Sequence, residues 1–126
     1  MKEPHPRIYV EFRPAGADPE PAFPALLDTG GHYCILNEEV ATLVRDQLTD
    51  RLGEAILHTA HGKLRGELYI LGIELIAHVG ETLDLDVVAF IAPEWRGPSF
   101  LGYLGMLDRL RFAIEPETNR FYFARR

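Results

Sequence analysis

The chain has 126 residues, 47% of them hydrophobic, enough for one domain with a real core and too few for two. Thirteen basic against nineteen acidic residues give a formal charge of −6, and no stretch interleaves Lys and Arg with aromatics, which excludes nucleic acid and anionic membranes as natural partners. No segment reaches the roughly eighteen uninterrupted apolar residues of a membrane helix, and "MKEPHPRIYVEF" lacks the apolar core of a leader, so the expected location is cytoplasmic.

In chain order, "RIYVEF" alternates with a period of two and predicts a strand, and "RPAGADPEPAFP" is crowded with Pro and Gly and predicts a loop. "ALLD" and "YCIL" read as short buried strands. Asn37 is placed to cap a helix through "EEVATLVRDQL", with Glu38 and Glu39 at its positive end and Gly53 as its stop or re-routing point. Strands are predicted in "EAILHTA", "KLRGELYILGIELIAHV" and "DLDVVAFIA", with turns near Gly62 and Gly80. "APEWRGP" is a loop, "SFLGYLGMLDRL" has glycines before a short helix, and "RFAIEPETNRFYFARR" is a hairpin turning at "EPETN". No repeat or linker divides the chain. The lone Cys34, between Tyr33 and Ile35, reads as a small core hydrophobe in a reducing compartment.

"ALLDTGG" carries the chemistry. Asp28 follows the apolar pair Leu26 and Leu27 and is turned by Thr29, Gly30 and Gly31, so its carboxylate sits at the end of a buried strand, within reach of the next backbone amides. Two such carboxylates within hydrogen-bonding distance share a proton. One then acts as base toward a water while the other donates to a carbonyl oxygen. The chain holds one such element, so this chemistry requires a second copy across a two-fold axis.

"ALLDTGG" resembles the hydrophobic-hydrophobic-Asp-Thr-Gly signature of aspartic peptidases. "FLGYLGMLDRLRFAIEP" is similar to the second element of that fold, and "LHTAHGKLRGELYI" to its flap. The order suits the retroviral-type, retropepsin-like members and their bacterial relatives. The resemblance implies a mostly β, single-lobed acid-protease barrel with one or two short helices and a flap hairpin, one domain over residues 1–126 with its core at about 24–124. It also implies a homodimeric endopeptidase acting on extended peptides, without cofactor or metal. By the same resemblance Asp28 would activate the lytic water, Thr29 would lock the two loops across the dimer axis, and Gly30 would permit the turn. Leu101 and Gly102 would lie across the base of the loop, and His61, Gly62 and Lys63 would form the flap tip, pairing with the peptide as an added strand. Gly31 stands where the family commonly has Ala or Ser, and His32 beside it is unusual.

Other features have plainer readings. An Asp-Thr-Gly by itself can be a simple turn. His58 and His61, three apart on a strand, point to opposite faces and make no metal site. Asp84 and Asp86 are the outward side of a half-exposed strand, Trp95 is a packing anchor, and Glu115, Glu117 and Arg120 form a solvated turn. The "RFYFARR" aromatics should be core on one side and are candidate dimer contacts. The alternative function is a non-catalytic dimer of the same fold that binds peptides or acts as a scaffold; an unrelated small-molecule-binding barrel ranks last.

Overall fold

The structure, a computed structural model, describes residues 8–16, 22–59, 62–103 and 105–126. Its strands are β1 (Tyr9–Pro14), β2 (Phe23–Leu27), β3 (Cys34–Ile35), β4 (Arg51–Thr59), β5 (Gly62–Leu75), β6 (Leu83–Ile91), β7 (Phe100–Leu101), β8 (Leu110–Glu115) and β9 (Arg120–Arg125). One α-helix, α1 (Glu38–Val44), and single 3-10 turns at Arg45–Gln47, Leu107–Arg109 and Pro116–Thr118 complete the elements.

Seven strands form one sheet in the order β1-β2-β7-β3-β6-β5-β4, and a further antiparallel pairing of β1 with β5 closes it into a barrel. Phe12 opposes Leu75 and Arg13 opposes Glu74 at the closure, where the Arg13 guanidinium reaches Glu74 Oε2 at 3.2 Å. Two backbone bonds extend it, from Ala15 N–H to the Gly72 carbonyl and from Ile76 N–H to the Glu11 carbonyl. The alternation read from the sequence then does its usual work: Val10 and Phe12 on β1, Leu71, Ile73 and Leu75 on β5, and Leu83, Leu85 and Val87 on β6 all point inward. Asp84 and Asp86 stay exposed on the other face of β6. Each inward side chain removed from water contributes roughly 1.5–3 kcal/mol.

Val40 and Val44, one helical turn apart, bury the inner face of α1 in the same core. Asn37 caps it as expected, its side-chain oxygen accepting from Val40 N–H at 2.9 Å, with Glu38 and Glu39 in the first turn. Gly53 does not end this helix. The chain leaves it through the 3-10 turn at Arg45–Gln47, and Gly53 lies inside β4, at φ +146° where the β4–β5 register slips between Arg51 and Gly53. A residue with a Cβ would be strained at that φ, which is why a glycine stands at this bulge.

The proline-rich stretch is shorter as a loop than its composition suggests. Arg13 and Pro14 belong to β1, and Phe23 and Pro24 to β2, with Phe12 opposite Phe23 and Glu11 opposite Pro24. The glycines after β7 precede a single 3-10 turn rather than an α-helix. The C-terminal hairpin holds its expected place: β8 and β9 pair from Leu110–Arg125 to Glu115–Arg120 around Pro116–Thr118, with Asn119 left-handed at φ 51°. Phe112, Ile114, Phe121 and Phe123 pack on the core from one face, and Tyr122 faces outward. Glu115, Glu117 and Arg120 are exposed.

Asn37→Ala removes the α1 cap and should cost about 1 kcal/mol, whereas Asn37→Asp, an equally good cap, should be near neutral. Denaturant midpoints of the two variants against the parent check this.

Candidate active site

Asp28 stands where β2 ends, and its place is set by neighbours on both sides. Leu27 N–H donates to the Ile8 carbonyl and Asp28 N–H to the Leu101 carbonyl, both at 2.9 Å. β7 runs parallel to β2, with Leu26 opposite Phe100 and Leu27 opposite Leu101, and antiparallel to β3, with Ile35 opposite Phe100. The loop leaving Asp28 therefore emerges between strands that are fixed on either flank. Asp28 is half-buried, and Thr29 and Gly30 are exposed at the tip.

The loop closes on itself. Gly30 N–H donates to Asp28 Oδ1 at 3.1 Å, and Gly31 N–H to the Asp28 carbonyl at 3.2 Å. The steric demand falls on Gly31 more than on Gly30. A Cβ at position 31 would stand 2.6 Å from Asp28 Oδ2, whereas one at position 30 would meet nothing nearer than Asp28 Oδ1 at 3.7 Å. The unusual Gly31 is thus the space into which the Asp28 carboxylate turns.

Gly102 lies against the far side of this loop. Its Cβ would run into the Tyr33 carbonyl and come within 2.9 Å of the Gly31 carbonyl oxygen, so the two backbones touch. The next residue ties them, with Tyr103 N–H donating to the Gly31 carbonyl at 2.8 Å. Leu101 is buried beside it in the main core. Of the residues singled out from the sequence, Asp28, Thr29, Gly30, Leu101 and Gly102 meet in this one assembly. Gly62 and Lys63 stand elsewhere, at the outer end of the β4–β5 hairpin, with His58 opposite Lys63; His61 lies outside the described residues.

Sequence reading missed Ser99. It is 1% exposed, its hydroxyl accepts from Asn37 N–H at 2.9 Å, and its carbonyl accepts from Leu26 N–H at 2.9 Å, so one residue joins the entry to β7, the cap of α1 and the strand that carries Asp28. A single polar residue beside an apolar pair was its only signal. Cys34 is fully buried beneath the assembly. Burial pushes its thiol up to about 12, and a backbone hydrogen bond from Gly102, working in the opposite direction, does not offset it.

A second apolar cluster lies apart from the main core: Leu64, Phe90 and Ala92, with Ala55, Leu57 and Leu68 from the inner face of the hairpin and Tyr33, Ile35 and Trp95 from the body. Trp95 packs its ring 6.1 Å from Phe100 and donates from Nε1 to the Pro98 carbonyl, the anchoring role expected of it. β5 pairs with β6 only from Glu67 onward, so its first residues and β4 project past the barrel as a two-stranded arm. Among the described residues no three His, Cys, Asp or Glu side chains converge on one point, and no helix is long and apolar enough to cross a membrane.

Two tests follow from this packing. Gly102→Ala should lower stability by about 2–3 kcal/mol because backbone, not a flexible side chain, stands in the way, and Gly30→Ala should change it far less; urea midpoints compare them. Cys34 should resist thiol reagents in the folded protein and react on unfolding. The folded thiol keeps its proton to about pH 12 while an unfolded one releases it near 9.0, so the associated stability is whole below pH 9 and is lost as pH climbs toward 12.

No family model and no curated protein matches the sequence. Solved structures do match. A retropepsin-like aspartic protease from Rickettsia conorii superposes with a TM-score of 0.60 at 16% identity, over 94% of this chain and 89% of that one. The retroviral protease-like domain of Ddi1 from Leishmania major gives 0.59 at 17% identity, over 92% and 86%. At such identities the likeness speaks for architecture, and the architecture is that of a single-lobed, retropepsin-like barrel.

Proposed function

We propose that the chain, acting over residues 1–126 as one domain, is the half-enzyme of a homodimeric aspartic endopeptidase of the cytoplasm, where its lone thiol stays reduced. One Asp28 from each copy forms the dyad. With a single proton between them, one carboxylate takes a proton from a water while the other gives its own to the carbonyl oxygen of the peptide. The water oxygen bonds to the carbonyl carbon; as the C–N bond breaks, the carboxyl that took the water's proton gives it to the amide nitrogen and the other recovers a proton from the gem-diol, leaving a carboxyl and an amine without a covalent enzyme intermediate. Thr29, exposed beside Asp28, bonds across the axis through its hydroxyl, and Gly30 leaves the peptide backbone room to approach.

The observation that carries this reading is the clamp of Gly102 and Tyr103 on the loop of Asp28. It spends a seven-strand closure on the rigidity of one exposed acidic turn, in a fold shared with retropepsin-like proteases. The β4–β5 arm fits the role of a flap, its end at Gly62 and Lys63 lending backbone groups to an extended substrate, the role the sequence resemblance also gives His61. The apolar cluster beneath the arm favours peptides with apolar side chains near the cut. The outward Tyr122 and the rest of the β8–β9 hairpin are candidate contacts between copies. No cofactor or metal enters this chemistry.

One observation favours a non-catalytic reading: Asp28 Oδ1 already accepts from Gly30 N–H, the bond of an ordinary Asp turn. In that case the dimer binds peptides or serves as a scaffold. The discriminating experiment follows cleavage of an unstructured protein from acidic to neutral pH by wild type, Asp28→Asn and Asp28→Ala at matched dimer content. Endopeptidase action predicts loss of at least 1,000-fold in both variants with dimerisation intact, on the order of the loss of a general acid–base group. A dimeric wild type that cleaves nothing at any pH would establish the non-catalytic form.

A further inference from the structure

Beside the β4–β5 arm there is a cavity of about 830 Å³ that shares only Ala55 and Ile91's neighbourhood with the second apolar cluster and includes no residue of the Asp28 assembly. That size lies in the range of ligand pockets. One wall is the stripe Ala41, Arg45 and Leu48 of α1 and the turn after it, at helical spacing. The other is the outer face of the arm, where Ile56 sits opposite Arg65 and Glu54 opposite Glu67. Ile91 and Pro93 complete an apolar floor. Ile56 is 46% exposed, an apolar side chain facing open space.

The charges in this cavity are not mutually satisfied. Arg51 bridges Glu54 at 3.8 Å and Glu67 at 3.3 Å, and Tyr69 donates to Glu67 at 2.6 Å, a bond that holds the Glu67 carboxyl below its ordinary value. Both carboxylates are thereby occupied. Arg45 and Arg65 have no ion-pair partner among the described residues, in a chain whose net charge is negative. The lining itself holds Arg45 and Arg65 against Glu54 and Glu67; counting Arg51, which stands outside the lining and bridges both glutamates, this cluster carries a single net positive charge. That balance suits a monoanion on an apolar body and disfavours a phosphate dianion, which the two glutamates would repel. Guanidinium groups also match the planar, two-oxygen geometry of a carboxylate.

We infer that this cavity is a second binding site, distinct from the Asp28 assembly, for the free C-terminal carboxylate of a peptide that ends in an apolar residue: Arg45 and Arg65 take the carboxylate, and Leu48, Ile56, Ile91 and Pro93 take the side chain. Such ends are what peptide hydrolysis releases, so the source of the ligand rests on the function proposed above; its binding does not. An occupant here touches the helix on one side and the arm on the other and ties the two together.

The test uses the full chain carrying Asp28→Asn, which cleaves nothing whether or not the wild type does. Labelled with 15N, it is titrated with acetyl-Ala-Ala-Leu as the free acid and as the C-terminal amide, following the amide signals of residues 41–48 and 54–69. The acid should bind at least about tenfold more tightly than the amide, the difference expected of charge-assisted hydrogen bonds. Adding Arg45→Ala and Arg65→Ala, both at exposed positions, should abolish that preference. Equal binding of acid and amide overturns the proposal even if the double variant fails to fold. So do an unchanged preference in the folded double variant, shifts confined to residues around Asp28 and Gly102, and equal or tighter binding of inorganic phosphate at these signals.

Discussion

The constraint on which the structure turns is the insertion of a two-residue strand. β7 contributes Phe100 and Leu101 and nothing more, yet it separates β2 from β3 and pairs with both, parallel to one and antiparallel to the other. So short a strand has little pairing energy of its own, and its position is secured at each end by other means. Ser99 holds one end through its hydroxyl and carbonyl, and Gly102 holds the other by lying flush against the Tyr33 and Gly31 carbonyls. Without a glycine there the backbones could not approach, Tyr103 could not reach the Gly31 carbonyl, and β2 would lose the neighbour that accepts from Asp28 N–H.

Much of this was legible in the residues because much of it is local. Strands with a period of two, the Asn37 cap and the turn at Pro116–Asn119 are set by neighbours a few positions apart, and they appear where the sequence puts them. The departures are long-range. Pro14 and Pro24 read as loop because proline lacks a donor, but each lies at the end or edge of a strand, where pairing with Ile73 or Glu11 outweighs the local preference. Gly53 read as a helix stop because a glycine after an apolar-periodic run commonly is one; its use at a bulge depends on the partner strand, which the local run does not reveal.

The assembly around Asp28 divides in the same way. The Asp-Thr-Gly turn and the apolar pair before Gly102 are short motifs, visible as such. That Gly31 rather than Gly30 makes room for the carboxylate depends on which way the Asp28 side chain turns, and that Ser99 and Gly102 join the strand and loop of Asp28 is packing between segments about seventy residues apart, where sequence spacing says nothing about contact. The β4–β5 arm is legible as a hairpin, but its two faces acquire meaning only against the body. The inner one, which carries Leu57 and Leu64, is apolar over Phe90 and Ala92, and the outer one is charged beside α1.

β5 joins these parts mechanically. Its fourteen residues belong to the barrel from Glu67 onward and to the arm before that, with Gly66 at the junction. A Cβ there would stand 2.5 Å from the Ile91 carbonyl and press into the Phe90 ring, so the arm leaves the barrel at a point where only a glycine fits against β6. Gly66 thus stands packed to contact between the apolar cluster beneath the arm and the charged cavity outside it, and both share residues of the arm. In the proposed dimer that strand would connect the cover over the substrate with a site that senses what has been released, while the barrel, closed by β1 and β5, keeps the Asp28 turn in place.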